Sequence, residues 1–336
     1  VPRGQSELLA RRAAAALGAR RAAGSLEVES FEPEFEFDRD GAVIAARSVP
    51  SSEAHRLIEH LMILANEQVA EHLERRRVPT LYRVHEQPDP QRVERLVEQL
   101  AALDLPTPPI PERLSGTQAG ELTGEISRMV AREAERRGHG RAAYTSLVLR
   151  SLKQAYYTDR NLGHAGLGSR AYAHFTSPIR RYPDLVAHRA LLSSIGAGEV
   201  EPRPDLVGEA AVQSSERERE SIAVERDADR VCGAFLLRRE LFESGWKHVF
   251  EGEVSGVIGA GAFVRFGGKL GDVYEGLLPA RVMRGERFDL NETETALVGR
   301  RTGRAVRLGD PIEVRVESVE APRGRVDLAP VEKRDG

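Results

Sequence analysis

Between Trp246 and Lys247 the apolar residues of this chain stop recurring at helical spacing. Beyond that point come short apolar runs punctuated by glycine: Val249 to Val254, Ala262 to Phe266, Tyr274 to Leu278, Ile312 to Val319 and Val326 to Leu328. Five such strands in about 85 residues, split by one longer insertion, suit a small Greek-key barrel of the OB type. The boundary is expected near Trp246, giving one unit over 1–245 and a second over 246–336.

The first unit reads as a mixed helical and β body, so the chain as a whole is α+β. A basic helical segment over 5–23 carries Arg11, Arg12, Arg20 and Arg21. Phe31, Phe35 and Phe37, the turn Asp38-Arg39-Asp40-Gly41 and the apolar run from Ala42 to Ala46 predict one hairpin. Leu57, Leu61, Leu64 and Val69 recur at helical spacing behind a Ser52 N-cap and predict a helix to Arg76. Leu81 to His85 reads as a strand, and Pro90 to Leu103 as a helix before the proline-rich linker Pro106 to Pro111. Helices are expected from Gly120 to Arg137, from Ala142 to Tyr156, up to about Ser194, and from Leu206 to Phe242.

With 40% hydrophobic and 30% charged residues over 336 positions, the chain can build one large core and one small one. A net charge of −3 supplies no global attraction to polyanions, so nucleic-acid binding would need locally clustered arginines. The single cysteine, Cys232, excludes an internal disulfide or a multi-thiolate metal site, and a reducing compartment such as the cytoplasm is expected. No apolar run approaches membrane-spanning length. The chain opens on Val1 rather than methionine, which suggests that something precedes it.

The richest segment is Tyr172-Ala173-His174-Phe175-Thr176-Ser177-Pro178-Ile179-Arg180-Arg181-Tyr182-Pro183-Asp184-Leu185, followed by His188 and Arg189. Ser177-Pro178 is a cap-and-first-turn pair, which sets Arg180 and Arg181 at the positive end of a helix unless Pro183 moves the helix start there. Free N–H groups, the macrodipole and two guanidinium forks together make a phosphate cradle. Such a site can neutralise charge on a phosphodiester in the transition state but cannot activate water. The bland reading pairs Arg180 with Asp184 and puts Tyr182 in the core.

The run Ala173 to Leu185 resembles the signature of the ribonuclease II/R (RNB) catalytic domain. His55-Arg56-Leu57-Ile58-Glu59, Met62 to Asn66, Leu81 to His85, Ser151 to Ala155 and Gly163-His164 are similar to family segments in the same order. The resemblance runs from about Leu26 to the C-terminus. It implies a processive 3′-to-5′ exoribonuclease that hydrolyses single-stranded RNA to nucleoside 5′-monophosphates. It further implies that Arg180 contacts the scissile or an adjacent phosphate, with Arg181 a second candidate, and that Glu59 lines the site. Many relatives carry an acid where this chain has His60. Glu225, in Glu225-Arg226-Asp227, would face the RNA channel or sit on a solvated face. Tyr182 and His174 would contact RNA, and a base-clamping aromatic would fall between Leu26 and Phe31.

Hydrolysis in that family depends on Mg²⁺ held by aspartates spaced D-x5-D-x-DD. No such cluster occurs here. The resemblance implies that the ligands lie upstream, so that residues 1–336 are a remnant or one piece of a longer or split protein and hold no metal alone. The missing half of the catalytic domain, in cis or as a separate chain, is the expected partner beside single-stranded RNA.

In the last segment Gly252-Glu253-Val254, Gly259 to Val264, Tyr274 to Leu278 and Leu308-Gly309-Asp310 resemble an S1-type RNA-binding domain. Phe263 and Tyr274 are the candidate stacking platforms, with Phe250 and Phe266 in the core. Arg300, Arg301, Arg304 and Arg307 form an acid-free cluster that would track phosphates or lie in a solvated loop. Two rival readings remain open: a non-catalytic RNA-binding scaffold, and a metal-independent phosphodiesterase using His174 or His188 as acid and base.

Overall fold

A computed structural model describes residues 3–22, 33–48, 52–267, 274–283 and 286–331. The expected aromatic between Leu26 and Phe31 lies outside the described residues. Helix α1 (Arg3–Ala22) packs along α2 (Glu53–Arg76), and two of its arginines pair with acids of that helix. Arg20 pairs with the buried Glu67 at 2.8 Å and Arg11 lies 3.6 Å from Glu53. Strands β1 (Pro33–Phe37) and β2 (Val43–Ser48) form the expected hairpin, closed where the Asp38 carboxylate accepts from the Asp40 and Ala42 N–H groups. Helix α2 begins at a Ser52 capping box, its second arm supplied by His55. It buries Ile63, Asn66, Glu67, Ala70 and Leu73, a stripe rotated from the predicted leucine face, so Leu61 stays exposed.

Strand β3 (Tyr82–Val84) precedes α3 (Pro90–Ala102), α4 (Gly116–Arg137) and α5 (Arg141–Ser151). The helix predicted through Tyr156 stops instead at Ser151. Leu152 turns extended, and β4 (Tyr156–Thr158) pairs its two tyrosines antiparallel with β3. Local propensity loses here to cross-strand partners 72 to 76 positions away, Tyr82 opposite Thr158 and Val84 opposite Tyr156. Helix α6 (Tyr182–Ser194) and the 41-residue α7 (Pro204–Ser244) complete the body.

Strands β5 (Val249–Ile258), β6 (Gly261–Phe266), β7 (Tyr274–Pro279), β11 (Pro311–Glu320) and β12 (Arg325–Pro330) close into a barrel. Within it β12 runs parallel to β7 and every other pairing is antiparallel. This is the five-stranded OB-type architecture the strand pattern predicts. The insertion is folded: β8 (Phe288–Leu290), β9 (Ala296–Gly299) and β10 (Ala305–Arg307) make a small antiparallel sheet. Phe250 and Phe266 are buried, as expected.

One continuous core joins α3, α4, α5 and α7 to the barrel. At the seam the wholly buried Tyr144 ring lies between Gly140 and Gly309. A Cβ at either glycine would come within 2.4 Å of that ring, and both backbones have positive φ, so glycine is required twice over. His139 Nδ1 meets the Gly309 carbonyl at 2.6 Å, and the Gly140 N–H donates to Glu253 at 2.7 Å. Among the described residues no helix is long and apolar enough to cross a membrane.

Candidate active site

The segment from Tyr172 to Arg181 is irregular, and the surrounding elements fix it by hydrogen bonds to named side chains. Asn66, buried in α2, holds it at two points: its Nδ2 donates to Tyr172 Oη at 2.9 Å, and its Oδ1 accepts from the Phe175 N–H at 3.0 Å. His188 of α6 reaches the Phe175 carbonyl at 2.9 Å, and its ring stacks on Phe175 with centroids 4.1 Å apart. The Arg83 N–H donates to the Tyr172 carbonyl at 2.8 Å. A buried polar group is worth most when every partner is present, and Asn66 spends both ends of its amide here.

Tyr157 on β4 meets His174 Nδ1 at 2.8 Å. Burial pushes His174 down to about 3, with Arg181 and Arg83 adding to the effect, and burial pushes Tyr157 up to about 12. The phenol is therefore protonated and the imidazole neutral at pH 7, and the two share one hydrogen bond. Behind Tyr157, the Arg83 guanidinium lies 4.8 Å from the ring centroid and pairs with Glu218 of α7 at 2.5 Å. His164 is also pushed down to about 3, by burial and then by His85. His174 and His188 each commit one ring nitrogen to the loop, and burial leaves the His174 imidazole a weak base.

Ser177 does not cap a helix. Its carbonyl accepts from the Arg180 and Arg181 N–H groups in an isolated turn, and α6 starts at Tyr182 with Pro183 in its first turn. The wholly buried Asp184 takes the place an external anion would occupy at that helix start: its Oδ1 accepts from the Ser177 N–H at 2.7 Å and from Arg181 Nη2 at 2.8 Å. Arg181 Nε lies 2.8 Å from Asp184 Oδ2 as an ion-pair contact without hydrogen-bond alignment. The expected two-guanidinium cradle is thus corrected: Asp184 pairs with Arg181, not Arg180, and turns it inward. The tip of the turn carries exposed Ile179 and Arg180, and Tyr182 is 54% exposed rather than in the core.

Glu59 is exposed on α2, seven residues before Asn66 and so on the same helix face, about 10 Å along the axis. Glu225 is exposed on α7, seven residues after Glu218 and on that helix's corresponding face. Among the described residues no group of three or more His, Cys, Asp or Glu stands close enough to share a metal ion. The described residues therefore do not fit a Mg²⁺ site.

In the barrel, Phe263 is half-buried beside Gly256. Tyr274 is only 7% exposed and donates to Glu240 of α7 at 2.7 Å, which corrects its expected role as a stacking platform. The arginine cluster is not acid-free in space: Arg300 pairs with Asp289 across the hairpin, and Arg307 with Asp104 of the helical body at 2.8 Å. Arg301 and Arg304 lie exposed in the same turn. Sequence reasoning missed Tyr157, Arg83, Glu218 and the anchoring role of Asn66. Only Asn66 carried a signal, as an amide set inside an apolar helical stripe.

A helical body that fixes an arginine-tipped turn leads into a closed five-stranded barrel, an α+β architecture. The chain belongs to the RNB domain family, whose model matches residues 4–196. It is 35% identical over 312 residues to ribonuclease R of Aquifex aeolicus, covering 92% of this chain and 42% of that protein. It is 31% identical to ribonuclease R 1 of Lactococcus lactis, covering 92% of this chain and 36% of the relative. The structure of Mycoplasma genitalium RNase R with ribose methylated single-stranded RNA superposes with a TM-score of 0.84 at 25% identity, covering 97% of this chain and 49% of that one. This chain thus spans well under two thirds of these relatives.

Proposed function

We propose that the chain is the RNA-gripping part of a processive 3′-to-5′ hydrolytic exoribonuclease that acts on single-stranded RNA and releases nucleoside 5′-monophosphates. The observation that carries this is Arg180: a lone outward guanidinium on a turn whose backbone is pinned by the buried Asn66 and Asp184. A cation held in one place by the scaffold stabilises developing phosphate charge without reorganising, the property electrostatic catalysis needs. Arg180 binds the scissile or neighbouring phosphate, Arg181 positions the turn, and Glu59 and Glu225 line the site. Tyr182 and Phe263 offer ring faces to bases, while Arg301 and Arg304 meet phosphates through the S1-type barrel. His174 acts on RNA only through the loop it holds. The complementary half of the catalytic domain, in cis or as another chain, supplies the aspartates for Mg²⁺.

The test uses a 5′-labelled oligoribonucleotide with Mg²⁺. Residues 1–336 alone bind it without releasing mononucleotides, and a longer protein that adds the aspartate segment degrades it until Arg180→Ala is introduced. Robust release by residues 1–336, or full activity of the Arg180→Ala long form, overturns the reading. A long form that binds RNA but never degrades it favours the scaffold alternative.

A further inference from the structure

With Tyr274 sunk beneath α7, the open rings at this end of the molecule lie elsewhere. Phe242 is 73% exposed near the end of α7 and Trp246 is 42% exposed just past it, their rings edge-to-face with centroids 6.4 Å apart. About two turns near the end of α7 place Phe235, Arg238, Arg239 and Phe242 within an arc of about 100° at the helical spacing, and the Trp246 ring just past the helix meets Phe242. Arg238 lies 4.8 Å over the Phe235 ring and Arg239 donates to the Ile44 carbonyl, so both guanidinium groups have a fixed partner beside this face. Lys247 and His248 continue it, exposed, into β5. Glu240 on the neighbouring face is turned inward to Tyr274, and Glu243 is the acid beside the rings.

Exposed rings interleaved with guanidinium groups suit single-stranded nucleic acid, whose bases stack while its phosphates meet the cations. An acidic or purely apolar partner would use only half of these groups. We propose that the Phe242–Trp246 face, flanked by Arg238, Arg239 and Lys247, is a second single-stranded RNA contact, separate from the turn that carries Arg180. The inference rests on the RNA-binding reading above. Glu218, which pairs with Arg83 behind the loop that carries Arg180, lies 24 residues before Phe242 on the same helix, about 36 Å along α7. A stacked strand would need about ten nucleotides to cover that distance.

Trp246 is the chain's only tryptophan, so its emission reports on this face alone. The full chain is titrated, in EDTA, with a 16-nucleotide oligouridylate carrying 5′-fluorescein, following label anisotropy and tryptophan emission together. The expected result is quenching of Trp246 that saturates with the anisotropy and persists in Arg180→Ala. Phe242→Ala weakens binding roughly 5- to 100-fold, the range for losing one base–ring stack, and Phe242→Tyr restores it. Binding seen by anisotropy with unchanged tryptophan emission overturns this proposal and leaves the RNA reading standing. No anisotropy change at all sinks the RNA reading and this one with it. Quenching that depends on protein concentration without RNA assigns the face to a second copy and overturns the proposal as well.

Discussion

The Asp184 carboxylate, wholly buried at the start of α6, holds the Arg181 guanidinium at 2.8 Å, and this leaves Arg180 as the guanidinium at the tip of the turn. The two adjacent arginines therefore divide the work, one structural and one facing outward. That division is what the following variants read.

Asp184→Asn removes the charge that compensates Arg181 and weakens the acceptor for the Ser177 N–H. Breaking a buried pair from one side costs about 3 to 5 kcal/mol, and the lower figure is expected because the Arg181 side chain is 21% exposed and reaches water. Urea denaturation should show the midpoint falling with the slope unchanged. An Arg181→Ala, Asp184→Asn double variant that loses the sum of the two single effects would show the pair to be uncoupled.

Arg180→Ala touches none of these anchors, so stability should change by less than about 0.5 kcal/mol. Its effect belongs in RNA binding, where the slope of log affinity against log salt should fall by about 0.7, the contribution of one phosphate contact on a single strand. Anisotropy titrations at four salt concentrations measure it. Equal slopes for the two proteins would remove Arg180 from the phosphate.

His174 is held down to about 3 in the folded chain against 6.5 unfolded, chiefly by burial. The unfolded chain thus binds a proton over a range in which the folded one does not, so this contribution to stability is complete above pH 6.5 and is lost as pH falls toward 3. Each such histidine adds at most about 1.4 kcal/mol of loss per pH unit in that window. His174→Gln should flatten the wild-type decline between pH 6.5 and 4.5, and parallel curves for the two proteins would contradict the assignment.

Tyr274→Phe deletes the hydrogen bond to Glu240 and should lower stability by about 1 kcal/mol while leaving RNA affinity unchanged. Phe263→Ala should instead lower RNA affinity, because that ring is only half-buried. Thermal melts and anisotropy on both variants separate the two roles. Weaker RNA binding by Tyr274→Phe would return that ring to the interface.

The change of pattern at Lys247 was readable because strand and helix periods differ and glycine marks each turn. The Tyr182–Pro183 helix start was half-readable, since Pro183 fits a first turn but Ser177-Pro178 offers a competing one. Strand alternation gives two faces without saying which is covered, so nothing in Tyr274 or its neighbours foretold α7 lying over it. Arg300 and Asp289 are eleven positions apart and meet only because β8 and β9 pair, which no local charge count can anticipate. Tyr156 to Thr158 lacked a glycine or proline before them, so the helical signal ran on until a partner strand was known.

The Tyr144 ring clasped by Gly140 and Gly309 has a mechanical consequence. A barrel fastened in this way to the helical body should move with it rather than swing on a hinge, and so keep a constant distance from the Arg180 turn. Heating should accordingly give one calorimetric peak, with Gly309→Ala splitting or lowering it, because the alanine methyl would have to displace the clasped ring.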